Sequence, residues 1–231
     1  MKIPGIIGGI APESTIQYYR LIIATYRERK QDGSYPSILI NSIDMKTMLD
    51  LIGAKKLPEV TDYITAEVKK LAEGGADFAL LASNTPHIVF DDIQRNSAIP
   101  LISIVEAARD AARALKMKKV GLFGTRFTMQ GGFYDRMFSE GGIGMILPDA
   151  EDQAFIHDKY MGELVNGLFL PETRDRLLAI VDKLRKRSGI EGLVLGGTEL
   201  PLILNESEFH GIPFLDTTKI HAEKAVERML M

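Results

Sequence analysis

Short apolar runs alternate with long amphipathic segments along this chain, and that alternation restricts the folds open to it. The first half reads "PGIIGG", "SILINSI" and "DFALLAS", separated by "PESTIQYYRLIIATYRERK" and "VTDYITAEVKKLAEGG". Strands separated by helices of ten or more residues imply βαβ crossovers, because parallel neighbours need a long connection. The sequence therefore predicts an α/β protein with a parallel sheet.

The same order of elements recurs in the second half. Landmarks pair at offsets of 116, 114 and 113 residues: Gly8 with Gly124, Ser83 with Gly197, and Pro100 with Pro213. We therefore predict two pseudo-symmetric, doubly wound parallel-sheet domains. Ligands bind such sheets beyond the carboxyl ends of the strands. The polar residues after "FALLA" and "LVLG" are thus expected to line an interdomain active-site cleft.

Charge and composition narrow the class of ligand. The chain has 28 basic and 31 acidic side chains and a formal charge of −3, which favours neither nucleic acid nor an anionic membrane. It has no run of 18 apolar residues and no signal-peptide pattern at its start, so we predict a cytoplasmic protein. It contains no cysteine, which excludes thiol catalysis and thiolate metal sites. A small ligand that is neutral or modestly charged is therefore expected.

Four motifs occur in order along the chain: "GIIGGIAPEST", "SNTPH", "FGTRFT" and "LGGTELP". In this order and at this spacing they resemble the aspartate/glutamate racemase superfamily, and specifically its aspartate-racemase branch, which implies a small carboxylate or amino acid as the ligand. The resemblance implies an amino-acid isomerase that uses no cofactor, neither pyridoxal phosphate nor a metal. It also implies a homodimer, and a last strand and helix that return to the first domain. On that basis we expect one domain at 1–99 plus 210–231 and the other at 100–209.

The resemblance also locates the reacting positions. Each half of the family usually contributes one cysteine, in "CNT" and "GCTE", and the two thiols transfer protons on opposite faces of the substrate's α-carbon. Here the two positions are Ser83 and Gly197. A serine hydroxyl needs another group to take its proton, and glycine has no side chain. The two-thiol mechanism is therefore impossible in this chain.

The remaining motif positions form the expected substrate-binding shell. In the family these positions bind the substrate carboxylate or lie beside the reacting carbon, and here they are Asn84, Thr85, Thr125, Thr128 and Thr198. Backbone amides of the glycine turn, including that of Gly9, would add donors for an anion. Lys46 is a possible match for the family's basic residue after the second strand.

Two other residues are candidates to replace the lost bases. His87 follows Ser83 by four residues and would polarise it from a helix opening at Pro86, while Glu199 lies two residues after Gly197. Alternatively, His87 packs locally and Glu199 stabilises a helix N-terminus. His87 and Asp91 have a metal-ligand spacing, but no third ligand can be assigned, so no metal is predicted.

Three functions remain open from the sequence. The first is a racemase-like isomerase with an atypical site, and the second is a carboxylate-binding homologue without turnover. The third is a lyase or decarboxylase that needs a single acid.

Overall fold

The computed structural model describes all of residues 1–231 and divides into two compact units. The first unit comprises Met1–Ile104 and Thr218–Met231, and the second comprises Val105–Thr217. The sequence analysis placed the two boundaries after residues 99 and 209, so both lie further along the chain than expected.

Each unit alternates strands with helices. The strands are β1 (Pro4–Gly8), β2 (Leu39–Ser42), β3 (Phe78–Leu81), β4 (Leu101–Ile102), β5 (Lys119–Gly124), β6 (Gly144–Ile146), β7 (Gly192–Gly196), β8 (Glu208–Phe209) and β9 (Ile212–Asp216). The α-helices are α1 (Pro12–Lys30), α2 (Met45–Gly53), α3 (Leu57–Glu73), α4 (Phe90–Asn96), α5 (Ile104–Ala114), α6 (Arg126–Gln130), α7 (Phe133–Glu140), α8 (Ala150–Gly162), α9 (Pro171–Ser188), α10 (Leu200–Ile203) and α11 (Thr217–Leu230). Residues Thr85–Val89 and Leu164–Asn166 form short 3-10 helices.

The two sheets have matching strand orders. The first is β2-β1-β3-β4, and all of its pairs are parallel. The second is β6-β5-β7-β9, also parallel, with β8 added antiparallel at the edge beyond β9. In both units the first strand lies between the second and the third. The predicted α/β class and the repeat of two similar halves are confirmed.

Strand pairing explains the shift in the second boundary. Strand β9 pairs with β7, with Leu193 opposite Phe214, so this strand completes the second sheet. Only α11 returns to the first unit, where Ala222 and Val226 are buried in one apolar cluster with Tyr18 and Phe78. The family resemblance had implied that the last strand and the last helix both return to the first domain. The structure differs, because β9 stays in the second sheet and only α11 returns.

Two helical segments differ from the sequence-based expectation. The segment "TMQGGFYDRMFSEGG" forms two helices because Gly132 adopts φ of 76°, a conformation that interrupts a right-handed helix. Helix α2, which the strand–helix pattern did not reveal, begins after Asp44, whose side chain accepts a hydrogen bond from the Lys46 amide. No helix in residues 1–231 is both long enough and apolar enough to span a bilayer.

Candidate functional site: two half-sites at strand ends

The first half-site begins at the glycine turn after β1. A Cβ added at Gly8 would lie 2.5 Å from the Thr15 Cγ2 atom, so helix α1 approaches the strand too closely for any side chain there. Gly9 has φ of 81°, and its amide donates to the Thr15 hydroxyl at 2.8 Å. The Gly9 amide, which we had expected to bind the ligand, is thus used to hold α1 against the turn.

Three small polar side chains follow the carboxyl end of β3. Ser83, Asn84 and Thr85 are 7 %, 2 % and 5 % exposed, in a segment that leads directly into the 3-10 helix Thr85–Val89. Buried hydroxyl and amide groups need hydrogen-bond partners, and such groups at a parallel strand end are suited to bind a polar ligand. This segment is therefore the candidate binding part of the first half-site.

His87 is not placed to act on the Ser83 hydroxyl. Its Nδ1 donates to the Ser83 carbonyl at 3.1 Å, and its Nε2 accepts from the Ile104 amide at 3.2 Å. These two backbone partners fix the neutral tautomer and use both ring nitrogens. Burial, aided by the nearby His221, lowers the pKa of His87 to about 3, so the imidazole stays neutral near pH 7. Of the two roles considered from the sequence, the geometry matches local packing.

A second buried histidine lies beside the first and was missed by the sequence analysis. His221, on α11, donates from Nε2 to the Ile102 carbonyl at 2.9 Å and accepts from the Tyr18 hydroxyl at 2.7 Å. Its ring centroid is 6.5 Å from that of His87. Burial lowers the pKa of His221 to about 4. The pair links α11, β4 and the 3-10 helix through neutral imidazoles.

The two histidines predict a loss of stability in mild acid. Their folded-state pKa values lie below the ordinary 6.5, so the unfolded chain binds more protons as the pH falls from 6.5 towards 4. The free energy of unfolding should therefore fall by about 2 kcal/mol per histidine between pH 7 and pH 5. Urea denaturation at the two pH values measures this loss.

Two variants isolate the histidine contribution. His87→Gln and His221→Gln should each remove about half of the pH dependence that the pair contributes. Carboxylates contribute little above pH 5 because their ordinary pKa values lie near 4. An unchanged slope in His221→Gln would contradict this account.

Lys46 lies on the surface and not in the first half-site's buried segment. It is the second residue of α2, its side chain is 79 % exposed, and its Nζ contacts the Asp50 carboxylate at 2.5 Å. An i,i+4 partner of opposite charge on a solvated helix face is sufficient to explain this position. In the structure Lys46 forms a helix-surface ion pair with Asp50, and its contact with a ligand carboxylate stays a prediction.

The second half-site opens at the end of β5. Thr125 is the N-cap of α6, and its hydroxyl oxygen accepts from the Thr128 amide at 3.2 Å. The two threonine hydroxyls are themselves 3.2 Å apart, and both residues are buried. A capping interaction thus holds the two predicted binding residues together at one strand end.

At the end of β7 a buried carboxylate is hydrogen-bonded to a buried phenol. Glu199 is 1 % exposed, and its Oε2 accepts hydrogen bonds from the Tyr160 hydroxyl and, at 3.0 Å, from the Thr198 hydroxyl. Tyr160 comes from α8 and is 6 % exposed. Burial and the neighbouring carboxylate raise the pKa of Tyr160 well above its ordinary value. Glu199 immediately precedes α10, but its side chain hydrogen-bonds to the Tyr160 phenol and does not cap the helix N-terminus.

Tyr160 is the site residue that sequence reasoning missed. The tyrosine in "HDKYMGELV" fitted a family pattern, but nothing in the sequence placed its ring beside Gly197. The nearest cation on the same helix, Lys159, is ion-paired with Glu163, which also accepts from the Thr173 hydroxyl at 2.6 Å. No group of three or more histidine, aspartate or glutamate side chains is placed to hold a metal ion.

Comparison with known proteins gives further evidence on the family of this chain. A family model described as Asp/Glu/Hydantoin racemase matches residues 7–225. The "broad specificity amino-acid racemase RacX" of Bacillus subtilis (strain 168) is 23 % identical over 231 residues, covering 98 % of this chain and 97 % of its own. A candidate Asp/Glu racemase from Yersinia pestis is 32 % identical with a TM-score of 0.90, and each chain is covered completely. An aspartate racemase homologue from Pyrococcus horikoshii OT3 is also 32 % identical, with complete coverage and a TM-score of 0.85.

Proposed function

The chain belongs to the Asp/Glu/hydantoin racemase family, and from that premise we propose that it is a cofactor-independent isomerase acting at the α-carbon of an amino acid. One observation carries the proposal. In each unit, buried hydroxyl or amide side chains occupy the family's substrate positions at the carboxyl ends of parallel strands. These residues are Asn84, Thr85, Thr125, Thr128 and Thr198.

In the family the two reacting positions act on opposite faces of the substrate's α-carbon, and the proposal assigns these roles to the residues at the same positions here. Ser83 then contributes hydrogen bonding on one face and does not remove a proton, because His87 is engaged with backbone groups. Proton transfer falls to the second unit. Glu199, a buried carboxylate at the end of β7, has the chemistry of a base, whereas the buried Asp152 is paired with Arg176 and Lys183.

A second candidate function is ligand binding without turnover. It is favoured by the replacement of both thiols and by the exposed position of Lys46, which leaves one expected carboxylate contact on the protein surface. A binder and an isomerase share the same pocket residues. They differ only in whether the α-hydrogen of the ligand is exchanged.

Solvent-deuterium exchange followed by NMR separates these functions. The protein is incubated with L- and D-aspartate, L- and D-glutamate and other amino acids, and the α-hydrogen signal is followed. We expect exchange with at least one ligand, and a rise in melting temperature that follows saturation, worth about 2.7 kcal/mol at 100 times the dissociation constant. The α-carboxamide of the same amino acid is the matched control, since it lacks the carboxylate that the pocket should recognise.

Each other outcome has a definite meaning. Stabilisation by the ligand without exchange would establish the binding function and contradict the isomerase. Release of carbon dioxide or ammonia would show that the protein is a lyase. If no ligand of the panel gives either stabilisation or exchange, the proposed pocket is overturned.

A further inference from the structure

The position of the second thiol is occupied by the phenol of Tyr160. A Cβ built at Gly197 would lie 2.4 Å from the Tyr160 Cε2 atom and 3.0 Å from both its Cζ and its hydroxyl oxygen. Protein interiors are close-packed, so the ring and a side chain at residue 197 cannot share this space. In this structure the phenol therefore occupies the space that a side chain at residue 197 would take.

That phenol is held in one orientation. Its hydroxyl donates to Glu199 Oε2, and the Thr198 hydroxyl donates to the same oxygen at 3.0 Å. Hydrogen bonds to a carboxylate are stronger than those between neutral groups. The phenol oxygen is thereby directed at the strand end, with a proton acceptor immediately behind it.

We propose that Tyr160 and Glu199 form a proton relay that takes the place of the second thiol; this inference rests on the proposed function. The phenol oxygen accepts the substrate's α-proton as its own proton passes to Glu199 Oε2. The electron pair of the broken C–H bond remains on the substrate as a carbanion, delocalised into its carboxylate. Once a proton of the relay has exchanged with solvent, reversal of the two transfers returns a solvent-derived proton to the same face.

The electrostatics support a relay over a free phenolate. Burial and the Glu199 carboxylate raise the pKa of Tyr160, so the phenol is protonated near neutral pH. A protonated phenol accepts a proton only if it gives one up at the same time, and Glu199 is hydrogen-bonded to receive it. Because Ser83 has no comparable partner in His87, the relay should exchange one enantiomer with retention much faster than the protein produces the opposite enantiomer.

The test removes one atom or one charge at a time. Tyr160→Phe deletes the phenol oxygen alone, and Glu199→Gln keeps the shape of the carboxylate without its basicity. We expect each to lower the rate of α-hydrogen exchange by about 100-fold or more, while the amino acid still raises the melting temperature. Tyr26→Phe is the matched control, since it removes a buried hydroxyl that bonds only to Ser34 in the other unit.

Exchange retained within about threefold in Tyr160→Phe would overturn the relay and leave the proposed function standing. Absence of exchange in the unsubstituted protein, with ligand stabilisation present, would overturn both the relay and turnover. Absence of both signals would instead remove the proposed pocket. A fall in exchange of equal size in Tyr26→Phe would show that the loss is structural and would also count against the relay.

Discussion

A Ser83→Cys variant is expected to convert L- into D-amino acid, or the reverse, at a rate close to that of exchange, whereas the unsubstituted protein should exchange one enantiomer and invert it only slowly. The thiol restores an acid/base group on the first face, with an ordinary pKa of about 8.5 that gives substantial thiolate at pH 8.5. The Tyr160–Glu199 relay serves the opposite face. We expect inversion to rise by about 100-fold or more over the unsubstituted protein. Chiral chromatography of reactions at pH 8.5 measures it.

The substitution is conservative in shape, which makes the result interpretable. Ser83 is buried, and sulfur replaces oxygen without a new branch. Ser83→Ala is the comparison that removes the hydroxyl without supplying a thiol, and it should show no inversion. Adding Tyr160→Phe to Ser83→Cys should abolish inversion but leave exchange by the thiol. Equal inversion with and without the Tyr160 hydroxyl would mean that the second base is another group.

Features set by short stretches of sequence were predicted from the sequence. The glycine turn before α1, the polar strand ends and the repeat of two α/β halves each depend on neighbouring residues, and all are present. The family assignment from four motifs is confirmed by a family model that spans residues 7–225. Local pattern identified these features because strand, turn and cap chemistry act over a few residues.

Features that depend on contacts between distant residues were not predicted. Tyr160 and Glu199 are separated by 39 positions, and Tyr18 and His221 by 203, so no local pattern pairs them. The expected role of Lys46 ignored Asp50 one turn later, which holds the ammonium group on the surface. Motif position identifies a backbone location, but side-chain direction depends on the competing partners around it.

The second unit's packing limits a simple restoration of the family's mechanism. Replacing both Ser83 and Gly197 by cysteine should give a less stable protein that inverts its substrate more slowly than Ser83→Cys alone. The new Cβ at residue 197 would lie 2.4 Å from Tyr160 Cε2, so the ring must move and its bond to Glu199 must break. Overpacking of this kind costs about 1–3 kcal/mol, and a buried carboxylate that loses a donor costs a similar amount.

Shortening Tyr160 should relieve that conflict. In a Ser83→Cys, Gly197→Cys, Tyr160→Leu variant the thiol gains the space of the ring, so inversion should recover to at least the rate of Ser83→Cys. Part of the lost free energy of unfolding should return as well. Urea denaturation and chiral chromatography of the single, double and triple variants measure both effects. If the double variant is as stable as Ser83→Cys and inverts faster than it, the Tyr160 ring does not hold the position of the second thiol. The relay would then lose its structural basis, because both ideas require the Tyr160 ring to fill the space beside Gly197.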